Sequence, residues 1–275
     1  MKKISLVLLL FLLLTISSCG LVNREYNNSI NNKVVVVEDY TIDEFQDALV
    51  IATQKAEEAC VLIVDNGLVG SSLGSAVVIK RVNYKGTNIV EDPNDATKYE
   101  YYALTNKHVV EGVSRGISVY LNENYSEDAY TSSVEVVKKS KSEDIALIKF
   151  TSAILIEPCK VNCSRNLMKG QIVLAIGSPH SLEYYNTVTM GIISHPNRFV
   201  NEGTKQVNYI QHDAAINPGN SGGGLFDING NLIGINTARI EDEDDYIYGI
   251  SLSLPLTKEI IEDEIGVKSF DNIIY

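Results

Sequence analysis

Three side chains of complementary chemistry stand in the order His108, Asp144, Ser221. Ser221 lies within Asn217-Pro218-Gly219-Asn220-Ser221-Gly222-Gly223-Gly224, where the glycines let the backbone turn sharply and come close to a substrate. Such a turn can aim successive N–H groups at one point. The amides of Gly219 and Ser221, with Asn220 nearby, are therefore candidates for holding the oxyanion of a tetrahedral intermediate in acyl transfer. A serine hydroxyl also needs a base, and the base needs an orienting partner. Taken singly, each feature fits a plain structural role: a glycine-rich turn, a core histidine before Val109-Val110, an aspartate turn ahead of Ile145. Taken together in one chain, they describe a nucleophile, its base and the orienter of that base.

Chain order narrows the chemistry. Gly219-Asn220-Ser221-Gly222-Gly223 also satisfies the G-x-S-x-G elbow of α/β-hydrolases, which place their histidine after the serine. All four histidines, His108, His180, His195 and His212, precede Ser221, which excludes the elbow. A subtilisin-type arrangement needs the aspartate ahead of the histidine, whereas His-Asp-Ser is the trypsin order.

The elements that must hold these groups are strands. After Thr41-Ile42-Asp43-Glu44, a capping-box pattern, Phe45, Leu49 and Ala52 recur at helical spacing to about Ala59. About a dozen short β-rich runs follow with turn signals between them, so the pattern predicts an all-β sandwich or pair of barrels. His108 is expected at the end of the apolar strand that begins at Tyr101, and Asp144 at the start of the run Ile145-Ala146-Leu147-Ile148. Ile228-Asn229-Gly230-Asn231 predicts a hairpin with a type I′ turn. Residues 83–98 read as a polar surface loop, residues 157–169 as a linker between barrels, and residues 255–265 as a final helix with Pro255 in its first turn.

At these residues the chain resembles the HtrA/Deg branch of the trypsin-like serine proteases. The resemblance is carried by Thr105-Asn106-Lys107-His108-Val109-Val110, by Asp144-Ile145-Ala146-Leu147-Ile148-Lys149, and by Asp213-Ala214-Ala215-Ile216-Asn217-Pro218-Gly219-Asn220-Ser221-Gly222-Gly223. Gly177-Ser178-Pro179, the run from Thr187 to Ser194, and Gly234-Ile235-Asn236-Thr237 agree as well. It implies two antiparallel six-stranded β-barrels, flanked by an N-terminal and a C-terminal helix. The protease domain would occupy residues 41–266, with barrels at about 60–156 and 170–254 and a tail at 267–275. It implies catalysis by His108, Asp144 and Ser221, an oxyanion hole at Gly219, Asn220 and Ser221, and a substrate pocket touching Ile216, Thr237, Ala238 and Arg239. Endoproteolysis of unfolded or exposed extracytoplasmic polypeptides, no metal or organic cofactor, and a homo-oligomer, a trimer in many relatives, follow by the same resemblance.

Departures from the family pattern bear on specificity and control. No PDZ domain is expected. Arg239 stands where relatives present a small aliphatic residue: turned inward it would favour an acidic P1 side chain, and turned outward it would face the acidic run 241–245, which lacks regular cation-ligand spacing. Gly224 replaces a common Pro or Ala. Asn220 occupies the place of the aspartate that receives a freshly cut N-terminus in pancreatic-type enzymes, so no zymogen clip is expected.

The N-terminus sets the compartment. Met1-Lys2-Lys3, an apolar run over 4–14, and Ile16-Ser17-Ser18-Cys19 form a signal peptide over 1–18 that resembles a lipoprotein leader, with lipid carried on Cys19 and residues 19–40 as a flexible tether. These predict a protein lipid-anchored to the outside of the bacterial cell membrane. Without Lys2 and Lys3 the chain has 21 basic against 35 acidic groups, a formal charge of −14, which argues against nucleic acid as a partner. Cys60, Cys159 and Cys163 then remain, enough for at most one internal disulfide and poorly spaced for zinc. A non-catalytic surface lipoprotein that binds a partner on the same fold is the rival reading, and the complete set of three groups counts against it.

Overall fold

The computed structural model describes residues 25–28, 33–36, 41–65, 73–112, 116–123, 130–163, 166–202, 205–241 and 247–253. Cys19, the leader, the segment 255–265 expected as a helix, the tail and most of the acidic run 241–245 lie outside the described residues. Two compact units divide the chain, 1–47 and 48–275. In the first, β1 (Glu25–Asn28) pairs antiparallel with β2 (Lys33–Val36), so the stretch expected to be a featureless tether contains a strand pair. The valines of β2 are the apolar exception in that polar stretch and favour the extended form.

Helix α1 (Ile42–Glu57) begins at the expected capping box. Glu44 N–H donates to Thr41 Oγ1 at 3.2 Å, and Thr41 N–H donates back to Glu44 Oε2 at 2.8 Å. Its buried contacts are Ala52 and Ala56, with Leu49 packed alongside, while Phe45 at the head of the expected stripe stays exposed.

The first barrel is an eight-stranded sheet. The strands are β3 (Cys60–Asp65), β4 (Leu73–Lys85), β5 (Asn88–Val90), β6 (Lys98–Thr105), β7 (Ile117–Tyr120), β8 (Tyr130–Thr131), β9 (Val134–Lys139) and β10 (Ala146–Ser152). They run in the order β8-β7-β3-β4-β6-β10-β9, with β5 added against the end of β4. The count exceeds six by two: the short β8 pairs with β7, and part of the expected 83–98 loop is ordered as a hairpin that adds β5. Asn83 to Lys85 pair with Asn88 to Val90, and Gly86 turns at φ +64°. The second barrel is closed by six strands, as expected: β11 (Ile172–Gly177), β12 (Thr187–Glu202), β13 (Lys205–His212), β16 (Ile247–Ser253), β15 (Leu232–Glu241) and β14 (Gly224–Asp227), in that order around it. Closure leaves no edge strand to protect.

The largest fully buried side chains include Tyr101 and Phe150 in the first barrel and Tyr209 and Phe226 in the second. Tyr101 and Phe150 pack with tilted rings, centroids 5.2 Å apart, and the Tyr101 hydroxyl donates to Ile154 O at 2.7 Å. The linker is tied to both barrels. Cys159 N–H donates to Val78 O, while Val161 forms a parallel bridge to Leu232. Cys60 and Cys159 are buried free thiols, and burial pushes the Cys159 thiol up to about 12.

The hairpin at 227–231 differs from the expected type I′ turn, which needs positive φ at both Asn229 and Gly230. Only Gly230 has it, at +71°. Asp227 decides the geometry: its Oδ1 accepts from the N–H groups of Asn229 at 2.8 Å and Asn231 at 3.1 Å, and Gly230 N–H closes the turn on Asp227 O.

Candidate active site

The expected base, His108, and its expected orienter, Asp144, come from the first barrel. Strand β6 ends at Thr105, and His108 opens a short 3₁₀ turn (His108–Val110) rather than ending the strand. The turn follows from burial, because Val109 and Val110 must both face the core, which an extended strand with alternating faces would not allow. Asp144 lies two residues ahead of β10. Its Oδ2 is 2.6 Å from His108 Nδ1, and its Oδ1 accepts the backbone N–H of His108 at 2.9 Å. Burial alone would raise the Asp144 carboxyl, but the hydrogen bonds and charge of His108 outweigh it and hold the carboxyl below its ordinary value. His108 keeps half of its side chain exposed and Asp144 a quarter, so the imidazole is gripped on one edge and open on the other.

The nucleophile turn comes from the second barrel, between β13 and β14. Because C=O and N–H of a trans peptide point opposite ways, each carbonyl partner fixes where the following N–H points. Pro218 O accepts His180 N–H at 3.0 Å, which leaves Gly219 N–H on the other side with no partner among the described residues. Asn220 O accepts Gly223 N–H at 2.9 Å, which likewise leaves Ser221 N–H with none among them. The peptide between them is satisfied at both ends, with Gly219 O receiving Ser75 Oγ–H at 2.8 Å and Asn220 N–H donating to Asn217 O at 3.0 Å. Of the three residues expected to form an oxyanion hole, Gly219 and Ser221 thus present free donors and Asn220 serves the turn. Gly219, at φ +103°, packs against Ser178 O so closely that no Cβ fits there.

Ser221 Oγ donates to Thr237 O at 3.1 Å and makes no bond to His108 in the free chain. Thr237 was expected in the substrate pocket. It is buried, and Asn106 Nδ2 bridges it, donating to Thr237 Oγ1 at 3.1 Å and to Asp144 O at 2.8 Å. Ile216 is buried, Ala238 half-buried, and Arg239 pairs with Gly249 in the β15–β16 ladder, its side chain outside the described residues. Two residues that spacing did not single out stand directly behind the site. Ser75 bonds the nucleophile turn from the first barrel, and His212 is fully buried with Nε2 3.0 Å from Ser251 Oγ.

Two β-barrels facing one another across a histidine, an aspartate and a glycine-framed serine define the class of trypsin-like peptidases. Residues 85–235 match the trypsin-like peptidase domain family. The serine protease Do-like HtrA of Lactobacillus helveticus is 35% identical over 187 residues, covering 67% of this chain and 40% of that protein. The periplasmic serine endoprotease DegP of Salmonella typhimurium is 40% identical over 167 residues, covering 58% of this chain and 33% of that protein. Among solved structures, the HtrA-type protease AlgW with tripeptide superposes with a TM-score of 0.60 at 32% identity, covering 79% of this chain and 64% of that one. This chain therefore belongs to the trypsin-like peptidase family, in its HtrA-like branch. It spans about two fifths of the length of the HtrA relative from Lactobacillus helveticus.

Proposed function

We propose that this chain is a serine endopeptidase in which Ser221 attacks the peptide carbonyl, His108 takes the Ser221 proton, and Asp144 orients His108. The observation that carries the reading is the pairing of a 2.6 Å Asp144–His108 contact with a facing turn whose Gly219 and Ser221 N–H groups have no partner. The oxyanion that forms on attack would accept both donors. His108 then gives its proton to the leaving amine, and water repeats the cycle on the acyl-enzyme. The Ser221 hydroxyl rests on Thr237 O, and a bond between nucleophile and base commonly tightens only with substrate in place.

The substrates are exposed or unfolded extracytoplasmic polypeptides, met outside the membrane by a chain lipid-anchored through Cys19 and assembled as a homo-oligomer. The leader pattern and the periplasmic assignment of the Salmonella relative support this setting. Labelling with a fluorophosphonate probe tests the core of the reading. The wild-type chain is expected to be labelled and Ser221→Ala not, and absence of labelling on folded wild-type protein would refute it.

A further inference from the structure

Ser75, in β4 of the first barrel, is fully buried and uses every hydrogen-bonding group it has within the catalytic cleft. Its Oγ donates to Gly219 O at 2.8 Å and accepts Ser178 N–H at 2.9 Å. Its backbone N–H donates to Ser221 O at 2.8 Å, and its carbonyl accepts Thr105 Oγ1–H at 2.7 Å. One residue of the first barrel thus holds the carbonyls of both Gly219 and Ser221. The one hydroxyl proton is committed to Gly219 O and a lone pair to Ser178, so the hydroxyl cannot rotate without losing a buried bond.

The loop that Ser75 grips reinforces the same peptides. Ser178 is two residues before His180, whose N–H holds Pro218 O, and His180 adopts φ +64°, a conformation uncommon for a residue with a Cβ. Ser178 Oγ in turn accepts Asn186 N–H at 3.1 Å, and the Asn186 side chain donates to Glu57 O and Cys60 O. The turn of Ser221 is thereby fixed to the end of α1 and the start of β3 through a chain of buried and half-buried bonds that passes through the hydroxyls of Ser178 and Ser75.

We infer that Ser75 is a positioning residue for catalysis, whose hydroxyl locks the peptide between Gly219 and Asn220 so that the N–H groups on either side converge on the oxyanion. The peptide Ser75 holds is the one between the two donor peptides. Removing the hydroxyl leaves Gly219 O and Ser178 N–H without these partners in a buried setting, and movement of the Gly219–Asn220 peptide is the direct way for Gly219 O to find another donor. Without the tether the Cα atoms of Gly219 and Asn220 can shift along with their dihedral angles, and a shift that spreads beyond the one peptide turns the flanking donors off the substrate oxygen. Gly219, with no Cβ and already at positive φ, offers little resistance to it.

This inference rests on the proposed Ser221 chemistry, and the experiment separates the two. Ser75→Ala, Ser75→Cys and Ser75→Thr are compared with wild type in peptide hydrolysis and in inhibition by a peptide boronate, whose tetrahedral adduct places an oxygen in the oxyanion hole. Removing an oxyanion donor outright costs on the order of 10²–10³ in kcat, so misaiming two of them by Ser75→Ala is expected to lower kcat by about 10- to 100-fold. KM should change little, and boronate affinity should fall in parallel with kcat. Ser75→Cys, similar in size but a weak donor, should follow Ser75→Ala, while Ser75→Thr, which keeps the hydroxyl, should recover most of the activity. Should Ser75→Ala fold poorly, the Cys and Thr variants carry the comparison alone. Wild-type kcat and boronate affinity in the Ala or Cys variant would overturn the inference. So would a loss of activity that only tracks the fraction of folded, probe-reactive protein. Failure of the probe to label wild type would instead strike the proposed chemistry itself.

Discussion

Protonation of His212 tests the polar network beneath the nucleophile turn. Asn236 pairs with the first two of the three glycines after Ser221, its C=O accepting Gly222 N–H and its N–H donating to Gly223 O, each at 2.8 Å. Its side chain accepts Ser251 Oγ–H at 3.0 Å. With its only proton so used, Ser251 must accept from His212, which places the imidazole proton on Nε2. Nδ1 has no hydrogen-bond partner within bonding geometry, so a second proton there would be a buried donor with only the Ala214 backbone nearby to offset its burial. Burial pushes the imidazole down to about 4, against the opposing pull of the Ala214 backbone and the Asp213 carboxylate. An unfolded chain keeps the ordinary value near 6.5. Above pH 6.5 neither state holds the proton and the full stability is present. Between pH 6.5 and about 4 the unfolded chain takes up a proton that the folded chain refuses, so stability falls as pH falls. The difference amounts to about 3 kcal/mol, a large share of the 5–15 kcal/mol typical of a folded domain. Urea unfolding of wild type and His212→Gln from pH 7.5 to 4 isolates this group, because all other titrations are shared. The stability advantage of wild type over the variant is expected to shrink by about 3 kcal/mol across that range. A difference that stays constant to within roughly 0.5 kcal/mol would refute the buried, neutral His212.

Asp144→Asn keeps the shape of the orienting group but removes the charge that favours the working tautomer of His108; kcat is expected to fall on the order of 10⁴-fold, with an unchanged melting temperature checked by calorimetry. Gly222→Ala forces a Cβ onto Ser75 O and Thr105 Oγ1 at φ +86°, atoms already bonded to each other, so denaturant titration should show a loss of roughly 2–4 kcal/mol. Gly86→Ala, at φ +64° but with nothing within 4 Å of the added carbon, is the matched control and should cost only about 1 kcal/mol.

Local signals carried much of this architecture. The capping box at Thr41, the short β-rich runs and the closed second barrel follow from hydrogen-bonding side chains close in sequence and from alternation on strands. The order His108, Asp144, Ser221 selected the peptidase class because it depends only on chain direction. Other features depend on partners far apart. A serine before Ala76-Val77-Val78 looks like an ordinary strand residue, and its value arises only when the barrels bring it to Gly219, 144 positions away, and Ser178, 103 positions away. His212 similarly reads as a polar residue at a strand end until Ser251, 39 positions on, is seen at its Nε2. The type I′ expectation failed because Asp227, just outside the Asn-Gly pair, supplied side-chain bonds that stabilised a different turn.

The placement of the proposed base relative to the proposed nucleophile is set across the two barrels by the groups that bond between them. Asn106 Nδ2 is shared between Asp144 O and Thr237 Oγ1, and Thr237 O in turn receives the Ser221 hydroxyl. Ser75 N–H joins β4 to Ser221 O. Sliding one barrel past the other would therefore break bonds of the buried Asn106, Thr237 and Ser75, at about 1–3 kcal/mol for each group left unsatisfied. The Asp144–His108 pair belongs wholly to the first barrel and would survive such a slide unchanged. Loss of barrel registry should thus abolish nucleophile reactivity while leaving the histidine–aspartate hydrogen bond intact. Proton NMR of that bond, followed beside probe labelling during mild denaturation, would show the two lost separately. Simultaneous loss would mean that the barrels open as one unit.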